Sequence, residues 1–209
     1  HLEIFTAGIS VKMKWFYEVV YQYFRAPWDI GEREELVNLV ENGRIKPCRT
    51  IDLGSGTASN CIFLAQHGFE VTGIDYAESA IELGRNRAKE AGVAVNFMVD
   101  DLTELKNVEG VFDFLVDYGT LDDLKKEDRD LYIKNILSLT KPGSLFLLYA
   151  FEWPVRWWER PIYSKLALDS GEVEARFSEY FEIETIVREL KKKGFPLGWA
   201  VYLMKRKGE

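Results

Sequence analysis

From Thr50 to Tyr149 the chain alternates short apolar runs with segments of helical spacing. Thr50–Leu53, Glu70–Ile74, Ala94–Val99, Val111–Val116 and Ser144–Tyr149 have strand length. Ala58–Gln66, Ser79–Ala91 (closed by Gly92) and Asp128–Leu139 fall between them with helical character. Parallel neighbours in a sheet need long crossovers, usually helical, so this rhythm predicts a parallel sheet covered by helices on both faces.

The ends depart from that rhythm. Residues 12–25 (Lys-Met-Lys-Trp-Phe-Tyr-Glu-Val-Val-Tyr-Gln-Tyr-Phe-Arg) predict an aromatic helix that stops before Pro27. Glu32–Glu41, with Leu36, Val37, Leu39 and Val40 on its apolar side, predicts a second helix before Gly43. We expect residues 1–46 to form a helical extension and 47–209 the main domain. Residues 152–172, with Trp153, Trp157, Trp158, Tyr163 and two prolines, interrupt that domain as an aromatic insert. Phe181–Glu189 and Gly198–Lys205, joined by Lys-Lys-Lys-Gly-Phe-Pro-Leu, predict a hairpin and hence antiparallel pairing at one edge.

Composition narrows the function classes. A net charge of −7 and a pI of about 5.1 argue against binding to nucleic-acid phosphates, which needs clustered Lys and Arg. Two cysteines (Cys48, Cys61) and two histidines (His1, His67) offer neither a disulfide framework nor a metal-ligand spacing, so no metal is expected. No apolar run approaches the ~18 residues of a membrane span, and the first residues lack the order of a signal peptide. A cytoplasmic setting, without membrane, is the expectation. The chain begins at His1, the first dozen residues are a candidate for added sequence, and Met13 is a candidate start.

The chemistry begins at Ile51-Asp52-Leu53-Gly54-Ser55-Gly56-Thr57-Ala58, where a strand ends in a Gly-x-Gly turn and a helix follows. Glycines there let a ligand approach the backbone. A dinucleotide enzyme uses the same turn to hold pyrophosphate, but its third glycine would fall at Ser59. Asp52 at the strand tip would also repel a pyrophosphate, whereas it suits an ammonium or sulfonium group. Asp75, in Val71-Thr72-Gly73-Ile74-Asp75-Tyr76, follows Gly56 by 19 residues (75 − 56). A carboxylate at the second strand end is placed to accept both hydroxyls of a ribose, or to cap the next helix.

These runs resemble motif I and its follower in class I S-adenosylmethionine-dependent methyltransferases, with Ala58 where the last glycine usually stands. Asp101-Leu102 after the third strand, Phe112-Asp113-Phe114-Leu115-Val116-Asp117, Lys141-Pro142-Gly143-Ser144 and the terminal hairpin are similar to further family segments. The resemblance covers roughly residues 25–205. It implies an α/β Rossmann-like fold: a seven-stranded, mostly parallel sheet in the order 3-2-1-4-5-7-6, with one antiparallel strand. The implied cofactor is S-adenosylmethionine, leaving as S-adenosylhomocysteine. The implied cofactor residues are Asp52, Gly54, Ser55, Gly56, Asp75, Tyr76, Asp117, and Asp101 with Leu102 at the adenine. Pro27-Trp28-Asp29-Ile30-Gly31 looks like a segment of the small-molecule group of thiopurine, thiol/halide and tellurite-resistance type, in which the tryptophan packs near the methionine; Trp28 is assigned accordingly.

The acceptor side is less determined. Asp117-Tyr118-Gly119-Thr120-Leu121-Asp122 is compatible with the small-molecule group and is also similar to seven-strand protein lysine methyltransferases. It lacks the prolines of nucleic-acid amino-methyltransferases. Methyl transfer from a sulfonium needs mainly an aligned acceptor, with a base only when the acceptor keeps its proton. Asp117, Tyr118 and Asp122 are the nearest candidates for a base, with Asp117 and Tyr118 the catalytic assignments; Asp122, Asp123 and the following Lys-Lys-Glu-Asp-Arg-Asp read more readily as solvated surface and helix cap. Tyr21, Tyr118, Trp153, Trp157 and Trp158 are expected to line the acceptor pocket, with Trp15, Phe16 and Tyr23 packed against the insert. The favoured reading is methyl transfer to a small molecule by a monomer or homodimer. The alternatives are a protein lysine methyltransferase, a cofactor-binding subunit without catalysis, and an NAD-linked oxidoreductase, which Asp52 disfavours.

Overall fold

The computed structural model describes residues 15–21, 31–153, 167–189 and 198–208. Residues 15–21 are helical (α1). Then come α2 (Glu34–Glu41), β1 (Arg49–Leu53), α3 (Ser59–Gln66), β2 (Glu70–Asp75), α4 (Glu78–Glu90) and β3 (Asn96–Val99). β4 (Phe112–Tyr118), α5 (Thr120–Asp123), α6 (Arg129–Ser138) and β5 (Thr140–Trp153) follow. The chain continues with β6 (Leu168–Asp169), α7 (Glu172–Phe177), β7 (Phe181–Glu189) and β8 (Gly198–Arg206).

The sheet runs β3-β2-β1-β4-β5-β8-β7, with β6 beside the end of β5. Pairing is parallel from β3 to β5, and β8 is antiparallel to both β5 and β7. Setting aside the two-residue β6, this is the expected order 3-2-1-4-5-7-6.

The central strands are apolar on both faces, as a covered parallel sheet requires. Leu115, Phe146, Leu148 and Tyr202 pack on one side with Tyr132 of α6 and Phe177 of α7. Phe114, Val116, Leu147 and Val201 pack on the other with Leu36 of α2, Cys61 and Leu64 of α3, and Ile81 of α4. The buried carboxylates Asp52, Asp75 and Asp117 stand at or next to the carboxyl ends of β1, β2 and β4.

Several expectations change. Glu152 and Trp153 belong to β5, and Leu168–Asp169 pairs with them, so the segment outside the sheet is narrower than 152–172. A buried cation holds its base. Arg129 gives both Glu172 carboxylate oxygens a hydrogen bond at 3.0–3.1 Å. It also donates to the carbonyls of Leu124, Asp122 and Ala167. One side chain thereby ties α5, α6, the start of β6 and α7 together.

Asp122 and Asp123 are not solvated surface. α5 packs against β5, leaving Asp122 only 1% exposed, and Asp123 accepts the Tyr17 hydroxyl hydrogen bond. Trp15 and Phe16 are exposed, at 67% and 49%. Trp28, Tyr23, Trp157 and Trp158 lie outside the described residues.

Candidate cofactor and acceptor site

The loop after β1 is the centre of the site. Gly54 and Gly56 take φ values of +74° and +49°. Gly54 and Ser55 donate their N–H groups to the Ile74 carbonyl, each at 2.8 Å, which folds the loop onto β2. There is no room for a side chain at Gly54: a Cβ would stand 2.2 Å from the Thr120 hydroxyl oxygen. At Gly56 a Cβ would meet the Tyr21 hydroxyl at 3.0 Å. The Ser55 hydroxyl is buried with no hydrogen-bond partner. Thr120 and Tyr21 pack where side chains at Gly54 and Gly56 would stand, and the orphaned Ser55 hydroxyl between them fits a ligand group laid against this backbone.

Three carboxylates surround this loop, and all are buried. Asp75 accepts the Gly56 N–H at 3.0 Å and the Ala77 N–H at 2.9 Å, bridging the loop and the entry to α4. Burial pushes its carboxyl up to about 6 against those two bonds. Asp52 accepts a hydrogen bond from the Cys61 thiol at 3.2 Å. Burial pushes it up to about 7, the thiol bond opposing, with Asp117 and Asp75 adding repulsion and Arg33 easing it. Asp117 is likewise raised by burial to about 6. Such a cluster, eased only in part by Arg33, favours a further cation beside it.

Asp117 is the clearest revision. One oxygen accepts the Thr120 N–H at 2.7 Å; the other accepts the Leu121 N–H at 3.2 Å and the Tyr132 hydroxyl. A fully buried carboxylate so occupied holds the first turn of α5 and is poorly placed to serve as an acceptor-side base. Tyr118 is half-buried, with the Arg33 guanidinium 3.2 Å from its ring centroid and Tyr149 at 4.9 Å on the sheet side. Asp101 is exposed and its carboxylate takes the Thr103 N–H and hydroxyl, while Leu102 is buried. The neighbouring Asp100 is the loop organiser, accepting from Asp101, Lys106 and Asn107.

α1 lies over the loop. Tyr17 packs edge-on against Tyr76 at 5.7 Å, and Glu18 accepts the N–H groups of Glu78 and Ser79 at 2.8 and 3.1 Å, capping α4 from a distant part of the chain. Beside β4 and β5, a cleft of about 50 Å³ is lined by Tyr118, Gly119, Tyr149, Ala150, Phe151 and Trp199. Trp153 is the last residue of β5, and its side chain lies outside what is described.

Sequence reasoning missed Arg33, Glu18 and Tyr17, and it favoured solvated surface for Asp122 and Asp123. Arg33 stands two residues beyond Gly31, and only the fold brings it over Tyr118. Among the described residues, no group of three His, Cys, Asp or Glu side chains is arranged for a metal ion.

Comparison with known proteins agrees with this geometry. Residues 51–143 match the model of a methyltransferase domain family. Over those residues the chain is similar to methyltransferase domains. It is 30% identical over 130 residues to a 2-heptyl-1-hydroxyquinolin-4(1H)-one methyltransferase of Mycobacteroides abscessus, covering 61% of this chain and 57% of that protein. It is 34% identical over 131 residues to EEF1A lysine methyltransferase 2 of Danio rerio, covering 57% and 52%. The chain thus spans little more than half the length of these curated relatives. A structure solved in work on the conversion of a disulfide bond into a thioacetal group during echinomycin biosynthesis superposes with a TM-score of 0.76 at 21% identity, covering 93% of each chain. Among the described residues no helix is long and apolar enough to cross a membrane.

Proposed function

We propose that the protein binds S-adenosylmethionine at the carboxyl ends of β1 and β2 and moves its methyl group to a small-molecule acceptor. The observation that carries this reading is Asp75, which joins Gly56 to the entry of α4 beside the buried, unpartnered Ser55 hydroxyl. Gly54, Ser55 and Gly56 offer backbone and hydroxyl groups to the amino-acid end, and Asp52 offers it negative charge. Asp75 has lone pairs left for the ribose hydroxyls, and Tyr76, Asp101 and Leu102 flank the adenine position. Trp28 and Asp117 complete the set, Asp117 by fixing α5. The cofactor supplies an activated methyl group. The chain's task is to hold the acceptor in line and exclude water.

The relation to a quinolone methyltransferase supports a small acceptor. The apolar cleft at Tyr118 and Tyr149 supports it too, with Tyr21, Trp153, Trp157 and Trp158 as its proposed outer wall. Residues 1–46 act in this reading as a cap, of which Glu18 and Tyr17 are the contacts. Protein lysine methylation is the second reading, favoured by the relation to an EEF1A lysine methyltransferase.

Calorimetry with S-adenosylhomocysteine and NAD tests the cofactor. Binding of the first alone is expected, and NAD competing for the same site overturns it. A radiolabelled methyl-transfer screen over thiols, amines, halides and cell-extract proteins tests the acceptor. Label confined to protein would overturn the small-molecule assignment.

A further inference from the structure

Asp122 is unaccounted for by any role given so far. It is 1% exposed, and its Oδ1 has no hydrogen-bond partner. The Phe151 N–H reaches the carboxylate, and a Cβ on Gly119 would stand 3.8 Å from Oδ1. Gly119 and Phe151 both line the cleft beside β4 and β5, so the carboxylate lies under the floor of that cleft. A buried carboxylate oxygen with nothing to bond costs stability and calls for an explanation outside packing.

The neighbouring cation beside Tyr118 is Arg33, whose guanidinium lies 3.2 Å from that ring centroid. Asp117 and Tyr118 of β4, Asp123 of α5 itself and Tyr132 of α6 are the titratable neighbours. Arg129 of α6 bonds the main-chain carbonyl of Asp122, and its remaining N–H groups go to Glu172, Leu124 and Ala167. Burial first, then Asp123 and Asp117, hold the Asp122 carboxyl well above the ordinary carboxylate range. It is therefore a stronger base than a solvated carboxylate. The cleft above is walled by Tyr118, Tyr149, Phe151 and Trp199. Aromatic faces over a carboxylate suit an ammonium group, which both attract, and repel a thiolate or halide. A volume of about 50 Å³ admits an amine head group rather than a ring system.

We propose that Asp122 binds the nitrogen of an amine acceptor and takes its proton. This rests on the reading of the chain as a methyltransferase. The ammonium N–H bond breaks, its electron pair stays on nitrogen, and the proton moves to Asp122 Oδ1. The nitrogen lone pair then forms a bond to the methyl carbon as the carbon–sulfur bond breaks. The sulfur keeps that electron pair, leaving S-adenosylhomocysteine and a protonated N-methylamine. The Asp122 proton returns to solvent when product leaves.

The test uses the whole chain saturated with S-adenosylhomocysteine, titrated in a calorimeter with phenethylammonium chloride and with 2-phenylethanol, its neutral counterpart. Wild type is expected to prefer the ammonium at least tenfold. Asp122→Asn should lose that preference while keeping its S-adenosylhomocysteine affinity. In turnover on amine acceptors the same variant should lose about a hundredfold or more. Failure of S-adenosylhomocysteine to bind overturns the methyltransferase reading and this assignment with it. Cofactor-product binding without an ammonium preference, or an unchanged preference in Asp122→Asn, overturns the assignment alone. Should Asp122→Asn not fold, the wild-type comparison decides, and parity of the two probes overturns the proposal.

Discussion

At the scale of single residues, Asp75 carries two loads. Its carboxylate satisfies two buried N–H groups and faces the proposed ribose position. Asp75→Ala is expected to weaken S-adenosylhomocysteine binding by about 1.5–3 kcal/mol, the range for hydrogen bonds to a charged group. It should also lower the melting temperature without ligand, because the Gly56 and Ala77 N–H groups lose their partner. Calorimetry and a thermal melt on one preparation check both, and intact affinity would remove Asp75 from the site. Asp52 and Asp75 were legible in the sequence because each ends a strand next to glycines, where the local pattern fixes the position. The burial of Asp122 was not legible, although its place after β4 made it a candidate base. Its run, Asp122-Asp123-Leu124-Lys125-Lys126-Glu127-Asp128-Arg129-Asp130, is as polar as any solvated helix start. Its burial comes from the contact of α5 with β5, which no local pattern encodes.

Among elements, two long-range clamps organise the site. Arg129 joins α5, α6, β6 and α7, and its ion pair with Glu172 leaves the two side chains 5% and 8% exposed. Removing one partner of such a pair strands the other charge, so Arg129→Leu should destabilise by about 3–5 kcal/mol in denaturant melts. A loss below about 1 kcal/mol would mean that the pair is solvated. The second clamp is Glu18, which caps α4 across about sixty residues of sequence. Glu18→Ala should cost about 1 kcal/mol, as helix caps do, and speed hydrogen exchange at Glu78 and Ser79. Unchanged exchange there would show that α1 is not needed to cap α4. The two helices before β1 were readable from their aromatic and apolar spacing. That α1 folds back over the Gly54–Gly56 loop depends on Tyr17 and Glu18 finding partners far along the chain.

For the whole molecule, the buried acids give stability an unusual pH dependence. The ordinary carboxyl value of 3.8 rises on folding to about 7 at Asp52 and about 6 at Asp75 and Asp117. The folded chain therefore holds more protons than the unfolded one from about pH 4 to about pH 7, and these groups destabilise it as pH rises through that window. Cofactor-free melting temperature should fall between about pH 4 and about pH 7. The stabilisation conferred by the cationic S-adenosylmethionine should grow over the same interval, and a melting temperature that rises instead would place these acids ionised throughout. The sheet order was legible because strand–helix alternation admits few topologies, while the pairing of β6 rests on two residues and left no pattern. The terminal hairpin was legible too, and its placement has a consequence in time. β8 lies between β5 and β7, pairing with β5 from Leu145 to Glu152. On the ribosome β5 emerges before its antiparallel neighbour, so the nascent chain carries Leu145-Phe146-Leu147-Leu148-Tyr149-Ala150 as an unpaired apolar edge until β8 has been made. That interval is when chaperones have the most to hold and when aggregation competes most strongly with folding.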